Sequence, residues 1–170
     1  MKNYTTPILI LFLFLVIAII GNITISAIGL FFNHDVFNTG VYANGYEASL
    51  NIKLIFMAKA FALLMFIYSV YILIRNLKFL VRRDFFNNKL VQCFSKSGKL
   101  FFFSGIVGFL ASICGILNIA IIKDFGSQAY LNIDSKSLYI MLMILGFFLL
   151  LFSKVLDKGN EIQQENDLTI

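Results

Sequence analysis

Four long apolar stretches limit what this 170-residue chain can fold into. They cover approximately residues 8–32, 54–74, 100–122 and 138–156. A helix of roughly 20 apolar residues crosses the hydrocarbon core of a bilayer and satisfies its own backbone polar groups there. The composition agrees, because 59% hydrophobic and 14% charged residues leave too little polar surface for a water-soluble domain, where about 25% are charged. The sequence therefore predicts an all-α membrane protein, a four-transmembrane-helix bundle that forms one integral membrane domain.

The segment between the second and third apolar stretches indicates the orientation. Residues 75–99, the basic hairpin, contain seven basic side chains and one acid, Asp84. The basic side chains are Arg75, Lys78, Arg82, Arg83, Lys89, Lys96 and Lys99. Cytoplasmic loops carry an excess of Lys and Arg, and ten of these residues lie in the N-terminus, the hairpin and the C-terminal region, against three in the other two loops. We expect a multi-pass protein of the cell (inner or plasma) membrane with the hairpin and both termini in the cytoplasm.

The hairpin itself is predicted to be largely helical. Asn87 is a candidate N-cap, and from Leu90 to Phe94 apolar residues begin a partial helical stripe with lysines elsewhere on the surface. Helices two and three should therefore extend into the cytoplasm. The fourth helix is expected to continue through about Leu156, followed by a polar, acidic cytoplasmic tail at residues 157–170.

One charged residue falls within a predicted span. Placing the charged Lys59 side chain inside a bilayer costs free energy, which makes a functional role for this residue worth testing. In one interpretation its ammonium group snorkels to the outer interface or makes a structural hydrogen bond. In the other, it forms a polar pocket for an anion or a lipid headgroup with Asn22, Ser26 and Asn118, which should lie in the same outer half of the membrane.

The third span places small residues at four-residue steps. Ser104, Gly108 and Ser112 form this row, and such rows allow helix backbones to approach closely in a membrane. The row predicts either packing inside the bundle or a homo-oligomer through span three.

Several function classes are disfavoured by what the sequence lacks. No Asp or Glu lies in a span, although proton-coupled transporters usually need one. No phosphate-binding loop, nucleophile motif or metal-ligand cluster is found either. We predict no enzyme activity, no cofactor and no metal site. The positive charge is concentrated in one loop, which disfavours direct nucleic-acid binding and favours contact with anionic lipid headgroups.

Two segments resemble a known family. Residues 84–90 (DFFNNKL) place a Phe and a capping residue before a basic amphipathic helix, and residues 158–170 (KGNEIQQENDLTI) end in Asp-Leu-Thr-Ile. Both are similar to segments of a bacterial four-span membrane family catalogued as domain of unknown function 2975, although Phe85 stands where that family often carries Pro. The resemblance implies a four-span layout without an established activity. Members are often encoded beside a small helix-turn-helix regulator, which implies a partner.

The cytoplasmic face is the best functional candidate in the sequence. In one interpretation the hairpin only enforces topology and binds anionic lipid. In the other, hairpin and tail form a docking face; its candidate residues are Arg82, Arg83, Phe86, Lys89, Phe94, Asp167 and Leu168. We predict a non-enzymatic membrane scaffold or signalling component that engages a small cytoplasmic helix-turn-helix regulator. The alternative function is a small transporter or a lipid- or anion-binding protein that uses the pocket near Lys59.

Overall fold

The computed structural model describes residues 5–32, 50–81, 88–122 and 136–168, and each range is one α-helix. The helices are α1 (Thr5–Phe32), α2 (Leu50–Val81), α3 (Asn88–Ile122) and α4 (Lys136–Leu168). Each of them contains one predicted apolar stretch and is long and apolar enough to cross a membrane. The all-helical, four-span fold class is thereby confirmed for the described residues. The side of the membrane on which the helix ends lie stays a prediction.

Helix α3 is the centre of the bundle. It packs along α2 on one side and along α4 on the other, whereas α1 packs mainly against α2. The most apolar window of α3 is 39% buried, but none of the corresponding window of α1 is. Large side chains such as Leu11 and Phe14 of α1 are therefore exposed, which is the arrangement expected when lipid is the solvent.

The backbones of α3 and α4 touch at glycines. A carbon atom added at Gly146 of α4 would lie 2.5 Å from the backbone nitrogen of Phe102 and 2.8 Å from the carbonyl oxygen of Gly98, both in α3. One added at Gly105 would lie 2.8 Å from the carbonyl oxygen of Tyr139. Real Cβ atoms are not found at such distances, so only glycine allows this approach. Small residues at helix interfaces give membrane helices their packing contacts.

The row of small residues in the third span packs inside this bundle. The Ser104 hydroxyl donates a hydrogen bond to the carbonyl oxygen of Ala62 in α2, at 2.7 Å. Gly108 faces the ring of Tyr139 in α4, and Ser112 is buried. Packing within the chain therefore uses this row. A homo-oligomer stays a prediction, and it would need another face of α3.

Hydrogen bonds between side chain and backbone fix α2 beside α3. Besides the bond from Ser104, the Ser69 hydroxyl donates to the carbonyl oxygen of Ser97 at 2.9 Å. Both hydroxyls are fully buried, and such a bond contributes about 0.6 kcal/mol in a membrane bundle. The two bonds together set the antiparallel register of α2 and α3.

Helix α4 extends further than the sequence indicated. It does not end near Leu156 but continues to Leu168, so most of the predicted tail is helical. Leu156 packs against the apolar cluster around Phe101 and Tyr139, and Asn160, one turn further on, is buried. Contacts with α3 therefore support a helix whose sequence is too polar to be recognised as part of a span.

The glycine contact gives a first testable prediction. We expect Gly146→Val to lower the free energy of unfolding by about 1–3 kcal/mol, because the added atoms overpack a site bounded by rigid backbone. The control is Gly21→Val in α1, where an added Cβ has no atom within 4 Å. Unfolding in mixed detergent, followed by circular dichroism, measures both. Equal destabilisation by the two substitutions would contradict the packing described here.

Candidate functional site

The polar side chains gather at one end of the bundle. This polar end consists of residues 68–76 of α2, 88–99 of α3 and 153–166 of α4. Its exposed charged side chains are Arg75, Lys89, Lys96, Lys99, Lys154, Asp157, Lys158, Glu161 and Glu165. The first half of α3 lies in the middle and contributes three of the lysines. The contacts that α2 and α4 make with this half of α3 therefore determine where its lysines lie.

Two hydrogen bonds join α4 to α3 at the polar end, and a third lies within α4. The Ser153 hydroxyl donates to the carbonyl oxygen of Val91 at 2.8 Å. The Asn160 side-chain amide donates to the side-chain oxygen of Asn88 at 2.5 Å, and its own oxygen accepts from Gln164 at 3.5 Å. The start of α3 and the last turns of α4 are therefore one packed unit. The hairpin and the tail, 72 positions apart between Asn88 and Asn160, meet as the docking hypothesis requires.

A basic groove lies between the C-terminal part of α2 and the first turns of α3. This α2–α3 groove has a volume of about 420 Å³. It is lined by Tyr68, Tyr71, Ile72, Arg75, Asn76, Lys89, Gln92, Cys93 and Lys96. Three of these residues are cationic and none is acidic, so the groove concentrates positive charge. Its floor is closed by the Cys93 thiol, which donates weakly to the carbonyl oxygen of Ile72 at 3.5 Å.

A second groove lies on the other side of α3. This α3–α4 groove has a volume of about 340 Å³. It is lined by Val91, Gln92, Ser95, Lys96, Lys99, Ser153, Lys154 and Asp157. Lys96 borders both grooves, so the exposed face of α3 is continuous between them. Because Asp157 adds a carboxylate to its lining, this groove is less positively charged than the α2–α3 groove.

The predicted docking residues have different positions. Lys89 is exposed and lines the α2–α3 groove. Phe94 is only 9% exposed, and its ring packs edge-on against that of Phe152 with 5.1 Å between centroids. Phe94 is therefore a core residue and offers no exposed ring for docking. Arg82, Arg83 and Phe86 lie outside the described residues, as do the side chains of Asp167 and Leu168.

Two residues of the polar end were missed from the sequence. Asn160 holds α4 to α3, and Ile162 is a large apolar side chain that remains 52% exposed beside Glu161. The sequence contained a signal for Ile162, an isolated apolar residue within a charged segment. It contained none for Asn160, whose role depends on a residue of another helix.

The predicted pocket around Lys59 is not closed by its proposed partners. The Lys59 side chain is 7% exposed and its Nζ atom is buried, so the ammonium group lies inside the bundle instead of reaching the surface. Asn22 is exposed, Ser26 is half-buried, and the side chain of Asn118 lies outside the described part of the chain. In the register fixed by Ser69 and Ser104, Lys59 lies level with Val107 of α3. A structural role in the bundle is the better supported interpretation.

The ionisable side chains of the described helices indicate which kind of ligand these helices suit. Within them, no three His, Cys, Asp or Glu side chains come together in a way that could hold a metal ion. The charged groups of the polar end are exposed lysines together with a few carboxylates, of which Glu161 pairs with Lys158 at 2.9 Å. Such an arrangement suits the binding of an anion or of a charged macromolecular surface.

Comparison with known proteins identifies one family. A family model described as "protein of unknown function (DUF2975)" matches residues 42–170. The matched region contains α2, α3 and α4 and therefore the whole polar end. No curated protein and no solved structure matches the chain.

The joint between α3 and α4 can be tested directly. We expect Asn160→Ala to leave the Asn88 side chain without this partner and to loosen the last turns of α4 by about 1 kcal/mol, or roughly five-fold in local opening. Hydrogen exchange of residues 160–168 in lipid nanodiscs measures this opening. Gln163→Ala removes an exposed amide from the same turn and is the control. Unchanged exchange in the Asn160 variant would show that this bond does not hold the helix end.

Proposed function

The chain belongs to the family of unknown function DUF2975, and we propose that it is a non-enzymatic membrane scaffold that holds a small cytoplasmic regulator at its polar end. The observation that carries the proposal is the packing of the end of α4 against the start of α3. The bonds from Ser153 and Asn160 make one surface of two segments that are far apart in sequence. A preformed surface costs less ordering entropy on binding than two independent segments would.

The chemistry of this surface indicates the kind of partner. Lys96, Lys99 and Lys154 are exposed around the α3–α4 groove and would attract an acidic surface. Ile162 of α4 is an exposed apolar side chain outside the lining of the groove, and interfaces commonly combine apolar contacts with polar ones. The expected partner is therefore a small soluble protein with an acidic patch beside an apolar one. The family resemblance favours a helix-turn-helix regulator.

The alternative, a transporter or an anion-binding protein built around Lys59, has less support. It needs an accessible ammonium group, whereas the Nζ atom of Lys59 is buried. It also needs Asn22 to face Lys59 within the bundle, whereas Asn22 is exposed. We therefore infer that Lys59 contributes to the packing of α2 and does not bind a ligand.

The orientation needed for this function can be measured. We place the polar end and both chain termini in the cytoplasm, because the basic residues cluster at that end. A cysteine introduced at Gln163 in a Cys93→Ser/Cys114→Ser background should react with a membrane-impermeant maleimide in inverted membrane vesicles and not in intact spheroplasts. The same cysteine at Lys123, which follows α3 directly in the sequence, should show the opposite pattern. Labelling of Gln163→Cys in intact spheroplasts would show that the polar end lies outside the cytoplasm and would rule out docking of a cytoplasmic regulator.

Docking can be tested by site-specific crosslinking in cells. A photoreactive residue at Lys99 or at Gln163 should capture one helix-turn-helix regulator, and the same residue at Phe14, on lipid-exposed α1, should capture none. Ile162→Ser should lower the yield from Lys99 several-fold, because it removes the apolar contact without changing the charge. Gln163→Ser, with the crosslinker at Lys99, is the matched control and should leave the yield unchanged.

Two outcomes would oppose the scaffold. Capture of lipid alone from both positions would mean that the polar end serves only as a membrane anchor. Equal capture from Lys99 and from Phe14 would mean that the contact is nonspecific.

A further inference from the structure

We propose that the α2–α3 groove is a binding site for the headgroup phosphate of an anionic phospholipid. The inference does not rest on the protein-docking function, although Lys96 borders both grooves. It rests on the charge of the groove, on its depth relative to the apolar surface and on the aromatic side chains at its border.

Three cationic side chains from two helices line the groove. Arg75 comes from the end of α2, and Lys89 and Lys96 come from the start of α3. Lys89 and Lys96 are seven residues apart, which places them on the same side of α3 and about 10 Å apart along its axis. A guanidinium group can bind two phosphate oxygens at once, and the lysines add point charge on either side.

The neutral lining completes a site for a phosphate diester. Gln92 is exposed and lies between the two lysines in sequence, so its amide can donate to a phosphate or glycerol oxygen. The Asn76 amide, in contrast, already donates to the carbonyl oxygen of Ile72 at 2.8 Å. A volume of about 420 Å³ falls in the usual range of small-molecule sites, roughly 300–1,000 Å³.

The aromatic border distinguishes a lipid from a free anion. Tyr68 and Tyr71 line the groove and are 55% and 45% exposed. Exposed tyrosines on membrane helices mark the level of the headgroups. Lys96 lies at the same level, because Ser97 of α3 is bonded to Ser69 of α2. The cations therefore lie at the depth at which a phospholipid phosphate lies.

Apolar surface continues from the groove towards the middle of the membrane. On α2, Leu64, Phe61 and Met57 are exposed beyond Tyr68. On α3, Phe103 and Leu110 are exposed beyond Lys96. A lipid whose phosphate occupies the groove can lay its acyl chains along these side chains. Inorganic phosphate would gain nothing from them, so we assign the site to a lipid.

The test compares two variants that lose the same charge. In Arg75→Gln/Lys89→Gln both cations line only the α2–α3 groove, and in Lys99→Gln/Lys154→Gln both line only the α3–α4 groove. Each protein is reconstituted with equal amounts of phosphatidylglycerol and phosphatidylcholine of identical acyl chains, and retained lipid is counted by native mass spectrometry. We expect the first variant to retain at least five-fold less phosphatidylglycerol than the unmodified protein. The second should retain as much as the unmodified protein.

Three results would overturn the assignment. Equal loss of phosphatidylglycerol in both variants would show attraction by total charge and no site. Displacement of the lipid by excess inorganic phosphate, with phosphate bound in lipid-free detergent, would show a site for a free anion. Retention of equal amounts of phosphatidylcholine and phosphatidylglycerol by the unmodified protein would show that the phosphate charge is not what is recognised.

A second measurement does not depend on the variants' folding. A phosphatidylglycerol analogue with a photoreactive headgroup is added to the unmodified protein, and the crosslinked peptides are identified by mass spectrometry. Crosslinks within residues 68–76 and 89–96 are expected. Crosslinks confined to residues 153–166, or spread evenly over all helices, would contradict the proposal.

Discussion

The rest of the structure depends on the direct contact between the backbones of α3 and α4. In lipid, helices are not driven together by the hydrophobic effect, and close packing has to supply most of the attraction. Gly98 and Gly146 allow that packing near one end of the interface, and Gly105 allows it further along. The side chains of Ser153 and Asn160 are short, and they reach α3 only because the axes are already close. The polar end is thus a consequence of glycines that lie within the membrane-spanning part.

The same contact explains why there are two grooves. On the first half of α3, Leu90 and Phe94 point into the bundle, and Lys89 and Lys96 lie on the other side of the helix, as a period of 3.6 residues requires. The helices α2 and α4 flank this exposed stripe without covering it. Each flank forms one wall of a groove and α3 forms the other. Lys99, about 60° around the helix from Lys96, belongs to the α3–α4 side alone.

The features that could be predicted from the sequence are those that one segment determines by itself. Each apolar stretch specifies a spanning helix without help from another. The face that a helix presents to its neighbours is a different matter. The stripe that includes Phe94 is the same whether it faces a partner protein or the core, and the structure shows the core. The interaction of Asn160 with Asn88 joins two polar segments with no pattern in common, and for that reason the sequence predicts a tail where the structure has the end of α4. The burial of Lys59 likewise depends on neighbours that its own segment does not specify.

Helix α1 differs from the other three in what holds it. Its buried apolar contact with α2 lies at one end, where Leu30 packs with Ile52 and Phe56, and the Lys53 ammonium lies 5.6 Å from the centre of the Phe31 ring. Most of its other large apolar side chains are exposed. The family model also begins after α1, at residue 42. Packing and family membership therefore identify the same three-helix unit, and that unit contains both grooves and the joint between hairpin and tail. A function shared by the family is accordingly expected in α2, α3 and α4, with α1 contributing additional attachment to the membrane.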